Sequence, residues 1–235
     1  MVLHASRAAL SALALILATS CSETAKQPEA PADDFLGFGG QLAPVEDSVW
    51  DQSWRAPDVK WQGWTELHVA PIVAEHLGEA AWCSDCALDE LPTKRAELAE
   101  SFREKIELAF REDPLHVLEP VREVGAKTVV LEIAIVDVVP ARSWFNARGA
   151  APAGVSGHGS IAIEGRILDG RTGRLLSTFA DREDCAADLV SGANADWCCH
   201  APLLFDRWSQ RLVGLAHAAK EGRLGNTTAV PTHSW

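Results

Sequence analysis

Six cysteines, at positions 21, 83, 86, 185, 198 and 199, are the residues of this sequence best suited to chemistry. The first closes the run Leu17-Ala18-Thr19-Ser20-Cys21, which resembles a bacterial lipobox. Small residues fit a signal-peptidase groove, and the thiol is the nucleophile that takes a diacylglyceryl group after export. The other five are an odd number in an oxidising compartment, so one thiol stays free or pairs outside the chain. Two disulfides can be drawn among them in many ways. Local loop closure favours Cys83 with Cys86, and Cys185 with Cys198 or Cys199; a vicinal Cys198 to Cys199 bond is strained. The alternative is a metal site. Cys83-Ser84-Asp85-Cys86 has zinc-knuckle spacing, and Cys198-Cys199-His200 completes a tetrahedral set for zinc or copper(I). A second Cys-x-x-Cys is missing and export favours oxidation, so the disulfide reading leads.

No catalytic constellation accompanies the cysteines. Gly154-Val155-Ser156-Gly157-His158 lacks the glycine two places after the serine that a nucleophile elbow requires, and it reads as a loop. The sequence has no Walker-type phosphate loop and no His-Glu-x-x-His pair. Histidines at 4, 68, 76, 116, 158, 200, 217 and 233 follow no shared spacing. A Cys-x-x-Cys redox centre needs a helix starting directly after Cys83 within a βαβ unit, a setting this stretch does not suggest. The expectation is a protein that is not an enzyme and carries no cofactor.

Charge excludes one further class. The chain has 33 Asp+Glu against 21 Lys+Arg, a net charge of −12, which repels nucleic-acid backbones. Its apolar segment at 8–18, following Arg7, has the length of a signal-peptide core and is too short to span a bilayer. The organisation expected is a lipoprotein signal peptide at 1–20, a flexible tether at 21–34, one globular domain at 35–222 and a tail at 223–235. The tether is small, polar and proline-containing, a composition that cannot bury enough surface to fold. Ser22 after the lipidated cysteine, by resemblance to Gram-negative sorting, favours the outer membrane facing the periplasm.

The elements that must position any site are legible in the periodicities. Phe35, Phe38, Trp50, Trp54, Trp61 and Trp64 crowd one stretch, either as aromatic anchors over a core or as a ligand groove. Residues 65–72 read as a strand ending at Pro71. Residues 93–111 form an amphipathic helix with Leu98, Phe102, Ile106, Ala109 and Phe110 inward and Thr93 as its cap. Strands are expected at 116–123, 128–139 and 159–168. The last turns through Asp169-Gly170-Arg171-Thr172-Gly173 into a partner at 174–180. A closing helix at 202–220 repeats Phe205, Trp208, Leu212, Leu215 and Ala219 on one face and stops at Gly222. Together these predict an α+β two-layer sandwich, an antiparallel sheet with two amphipathic helices.

Several of these residues carry a resemblance. Phe35-Leu36 followed by Leu42, Trp61-Gln62-Gly63-Trp64 leading to Val69-x-Pro71, Gly165-x-x-Leu168-Asp169-x-x-Thr172-Gly173-x-Leu175, and Phe205-x-x-Trp208 are similar to the bacterial lipoproteins grouped as domain of unknown function 3313. The likeness runs over about residues 35–220. Its motifs are turn residues and core aromatics, so it implies a fold and no catalytic residue. This chain departs from the pattern in having no Tyr and extra cysteines. The resemblance implies a membrane-anchored envelope lipoprotein, acting as a non-catalytic interaction or structural module with an envelope protein partner. Binding of a small ligand or metal near the tryptophans and cysteines is the alternative.

Overall fold

The structure, a computed structural model, describes residues 48–57, 59–75, 77, 87–139, 158–186 and 201–224. In chain order these form β1 (Gln52–Arg55), a 3₁₀ turn (Trp61–Gly63), β2 (Glu66–Val69), α1 (Leu91–Arg111), β3 (Glu119–Pro120), β4 (Thr128–Val139), β5 (His158–Asp169), β6 (Leu175–Ala186) and α2 (Ala201–Lys220). The strands join into one six-stranded sheet in the order β1-β6-β5-β4-β2-β3, with both helices packed on one face.

The α+β sandwich is the fold expected, and its sheet is mixed. β4, β5 and β6 run as an antiparallel meander, and β1 adds antiparallel to β6. β2, however, pairs parallel with both β3 and β4. The cause is connectivity: α1 lies between β2 and β3, and a helical crossover returns the chain to the same sheet in parallel. The sequence reading assigned antiparallel pairing from hairpin turns and had no signal for a strand order that depends on the crossover.

Local chemistry explains most boundaries. At the β5–β6 hairpin, Asp169 Oδ1 accepts the amides of Arg171 and Thr172 at 2.9 and 2.8 Å, and Gly173 takes φ +68°. α2 stops because Gly222 adopts φ +69°, with Gly222 N–H on the Ala219 carbonyl and Arg223 N–H on that of Ala218. Three expectations are corrected. α1 begins at Leu91 with Glu90 at the cap position, so Thr93 lies exposed inside the helix rather than capping it. The strand expected at 116–123 shrinks to Glu119–Pro120, because Asp113 draws the amides of Leu115 and Val117 into a turn and His116 adopts φ 44°. The partner expected at 174–180 extends to Ala186.

The core lies between the helices and the sheet. Phe102 of α1 stacks on Phe205 of α2 with centroids 4.4 Å apart and planes at 11°, and Trp208 tilts against Phe102 at 5.6 Å. All three are fully buried. The five inward positions read from the α1 periodicity are all buried. Ion pairing fills in where α2 meets β6. Asp181 and Glu183 point from alternate β6 positions toward α2, where Arg211 pairs with both and Arg207 with Glu183. The Trp208 indole N–H donates to Asp181 Oδ2 at 2.7 Å.

Candidate functional site

The tryptophan-rich stretch lines a cavity of about 70 Å³ between the sheet and the end of α2. Trp50 precedes β1, and its amide donates to Ser48 Oγ at 3.1 Å, which fixes the entry of the chain. Its ring stacks on Phe179 of β6 with centroids 4.4 Å apart. The far edge of the Phe179 ring sits over Gly165, its cross-strand partner: a Cβ at 165 would stand 2.1 Å from the ring. The 3₁₀ turn brings Trp61 and Trp64 to 5.8 Å at 57°. That turn is tied to the end of α2 twice, by Gln62 Nε2 donating to the Lys220 carbonyl and by Lys220 Nζ donating to the Trp64 carbonyl. Leu67, Phe110, Leu131 and Leu212 close the apolar wall.

Two cations stand in this wall. Arg55 comes from β1 on the helix-facing side, opposite Ser177, and Lys220 from the last turn of α2. Burial lowers the pKa of both groups. Among the described residues neither forms an ion pair, and the lining contains no Asp or Glu. Ser177 Oγ donates to the Trp54 carbonyl at 2.9 Å and is thereby satisfied. The chemistry available here is apolar enclosure plus positive charge, with no nucleophile and general base in hydrogen-bond reach of each other.

Other titratable clusters hold the fold together. Asp113 is 3 % exposed and accepts the amides of Leu115 and Val117 and the His217 ring at 2.9 Å. Burial pushes its carboxyl up, but those donors outweigh it and hold the group below the usual carboxylate range. The Asp181 carboxyl moves the other way, raised by burial more than the Trp208 indole, the Asp51 amide and Arg211 lower it. His68 contacts the Val121 carbonyl at 3.2 Å. These three groups link elements and leave the cavity untouched.

The residues singled out for chemistry in the sequence fall mostly elsewhere. Cys21, Cys83, Cys86, Cys198, Cys199 and His200 lie outside the described residues, as do 154–157. Cys185 is described by its backbone, paired with Gly159 in β6. Among the described residues no group of three or more His, Cys, Asp or Glu side chains is placed to hold a metal. The Cys83 to Cys86 stretch does precede the helix of a β2-α1-β3 crossover, a setting the sequence reading did not foresee, yet α1 starts only at Leu91. Of the six aromatic residues of that stretch, Trp50, Trp61 and Trp64 line the cavity and also pack on the core, Trp54 faces the other side of the sheet, and Phe35 and Phe38 lie outside the described residues. Arg55 was missed. Its one signal was position: it alternates with Trp54 on a strand that the sequence did not reveal.

No curated protein is significantly similar to this chain. Among solved structures, protein XCC0632 from Xanthomonas campestris is 12% identical with a TM-score of 0.42, over 72% of this chain and 92% of that one. The PelC dodecamer from Paraburkholderia phytofirmans is 11% identical at 0.36, covering 67% and 93%. A minor lipoprotein from Acinetobacter baumannii is 11% identical at 0.36, covering 70% and 97%. Likenesses this distant assign no role. Sequence comparison is stronger: residues 32–212, most of the described sandwich, match the family described as protein of unknown function DUF3313, and the chain belongs to that family.

Proposed function

We propose that this protein is a lipid-anchored, non-catalytic module of the bacterial envelope that works by binding, and that its apolar cavity is where a small ligand sits. The anchor follows from the lipobox at Cys21, with palmitate among the acyl groups and the outer membrane, periplasmic side, as the destination. No helix of the described residues is long and apolar enough to cross a membrane.

The observation that carries the binding reading is the cavity walled by Trp50, Trp61 and Trp64. Three large aromatic rings wall this space together, with apolar side chains from the sheet and α2 behind them. A docking surface for an envelope protein is the second reading, favoured by exposed Leu108 and Leu115 near the end of α1. Native mass spectrometry of the mature protein released from membranes separates the two. A small-molecule mass that is lost on denaturation supports the cavity reading; a bare chain that also fails to bind alkyl compounds overturns it. Cys21→Ala should abolish labelling by a palmitate analogue, and persistent labelling with membrane sedimentation would refute the anchor.

A further inference from the structure

Resting on the binding reading above, we infer that the ligand is a single-chain anionic amphiphile, its alkyl chain in the tryptophan-walled cavity and its carboxylate or phosphate held by Arg55 and Lys220. Three observations converge on that class. The wall is almost wholly apolar, with Phe110, Leu131 and Phe179 behind the tryptophans, so the enclosed part of the ligand is hydrocarbon. The space is small. On the scale where one water occupies roughly 10–15 Å³, 70 Å³ holds a hydrocarbon segment about the size of a few waters and not a bulky multi-ring body.

Charge supplies the third. In a chain of net charge −12, the two charged groups lining this cavity are both cations, and no described carboxylate pairs with either. A partly desolvated guanidinium without an anion is unfavourable, and an anion arriving there removes the penalty while gaining charge-assisted hydrogen bonds. Arg55 presents a planar fork suited to two oxygens of a carboxylate or phosphate. Lys220 has spent one ammonium proton on the Trp64 carbonyl and keeps two. The diacylglyceryl group on Cys21 bears no anion, so the site does not match the protein's own anchor.

Photolabelling in envelope membranes tests this on the full chain. The probes are a diazirine fatty acid, the matching fatty alcohol and a lysophosphatidic acid of the same chain length, with adducts mapped by mass spectrometry. Labelling of cavity residues by at least one anionic probe should exceed that by the alcohol about tenfold or more, the value of one hydrogen bond to a charged group. Comparing the two anionic probes tells a carboxylate head from a phosphate. The double variant Arg55→Gln, Lys220→Gln should bring the ratio to the alcohol near one, while Arg55→Lys should keep most of it. Ile167→Trp, which fills the cavity, should remove labelling by all three. Equal labelling by anionic and neutral probes in the unmodified protein, or a preference that survives the double variant, overturns the anionic class and leaves an apolar site. Absence of cavity labelling by any probe overturns the binding reading as well.

Discussion

Single side chains in this protein are asked to satisfy polar groups and fill space together. Trp208 does both: its ring packs on Phe102, and its indole N–H donates to buried Asp181. Trp208→Ala should lower stability by roughly 3–5 kcal/mol from the cavity alone. Trp208→Phe keeps the ring contact and loses the hydrogen bond, so about 1–3 kcal/mol is expected. Equilibrium denaturation of both variants checks this; an unchanged alanine variant would place Trp208 outside the core. Asp113 gives a pH signature. Because its folded pKa lies below the unfolded value, its stabilising share is fully present above the ordinary carboxylate range and is lost as pH falls through the folded pKa. Asp113→Asn should therefore flatten the acid limb of the melting temperature against pH. Asp181, shifted upward, acts in the opposite sense and should remain as a shallow counter-slope.

At the scale of elements, the β5–β6 pair governs both the fold and the cavity. The two strands meet along their whole length, and the pairing places Phe179 over Gly165 and under Trp50. A mid-strand glycine is usually a weakness, and here the aromatic partner covers it. Gly165→Ala should force the Phe179 ring off its seat and destabilise the domain by about 1–3 kcal/mol, as overpacking does. The displaced ring would enter the cavity, so alkyl binding should fall more than stability does. A variant with wild-type melting temperature and wild-type binding would show that the ring has room to shift. The sequence marked this glycine and the Asp169 to Gly173 turn as a motif. It did not show that the glycine serves a ring fourteen residues further along the chain, because cross-strand neighbours are set by register.

For the whole molecule, the chemistry of the five cysteines other than Cys21 separates two readings. Under the disulfide reading, alkylation of denatured, unreduced protein should modify a single thiol, and chelator should leave the melting temperature unchanged. Under the metal reading up to five thiols react once metal is stripped, and chelator lowers the melting temperature. Reduction should weaken the domain by roughly 3 kcal/mol for a bridge closing a loop of about 15 residues, and by less for the tight Cys83 to Cys86 loop. Five free thiols without metal, and no loss on reduction, would defeat both readings.

The helices were legible because a 3.6-residue period over many turns is written locally, and every inward residue named on α1 is buried in the structure. The β5–β6 hairpin was legible because its aspartate and glycine chemistry is confined to five residues. The lipobox reading at Cys21 rests on sequence alone and is what the Cys21→Ala labelling experiment tests. Strand order is different: the parallel placement of β2 between β3 and β4 follows from where α1 can pack, which no local pattern encodes. β1 was invisible, since four residues, Trp54 among them, carry too little alternation to read as a strand. The pairing of Arg207 and Arg211 with Asp181 and Glu183 had a trace, helical spacing on one segment and alternate spacing on the other, but only the sandwich brings them face to face. The cavity is decided wholly by the tertiary structure. Trp50 and Arg55 lie far along the chain from Phe179 and Lys220, and what they form depends on the space that the end of α2 leaves above the sheet.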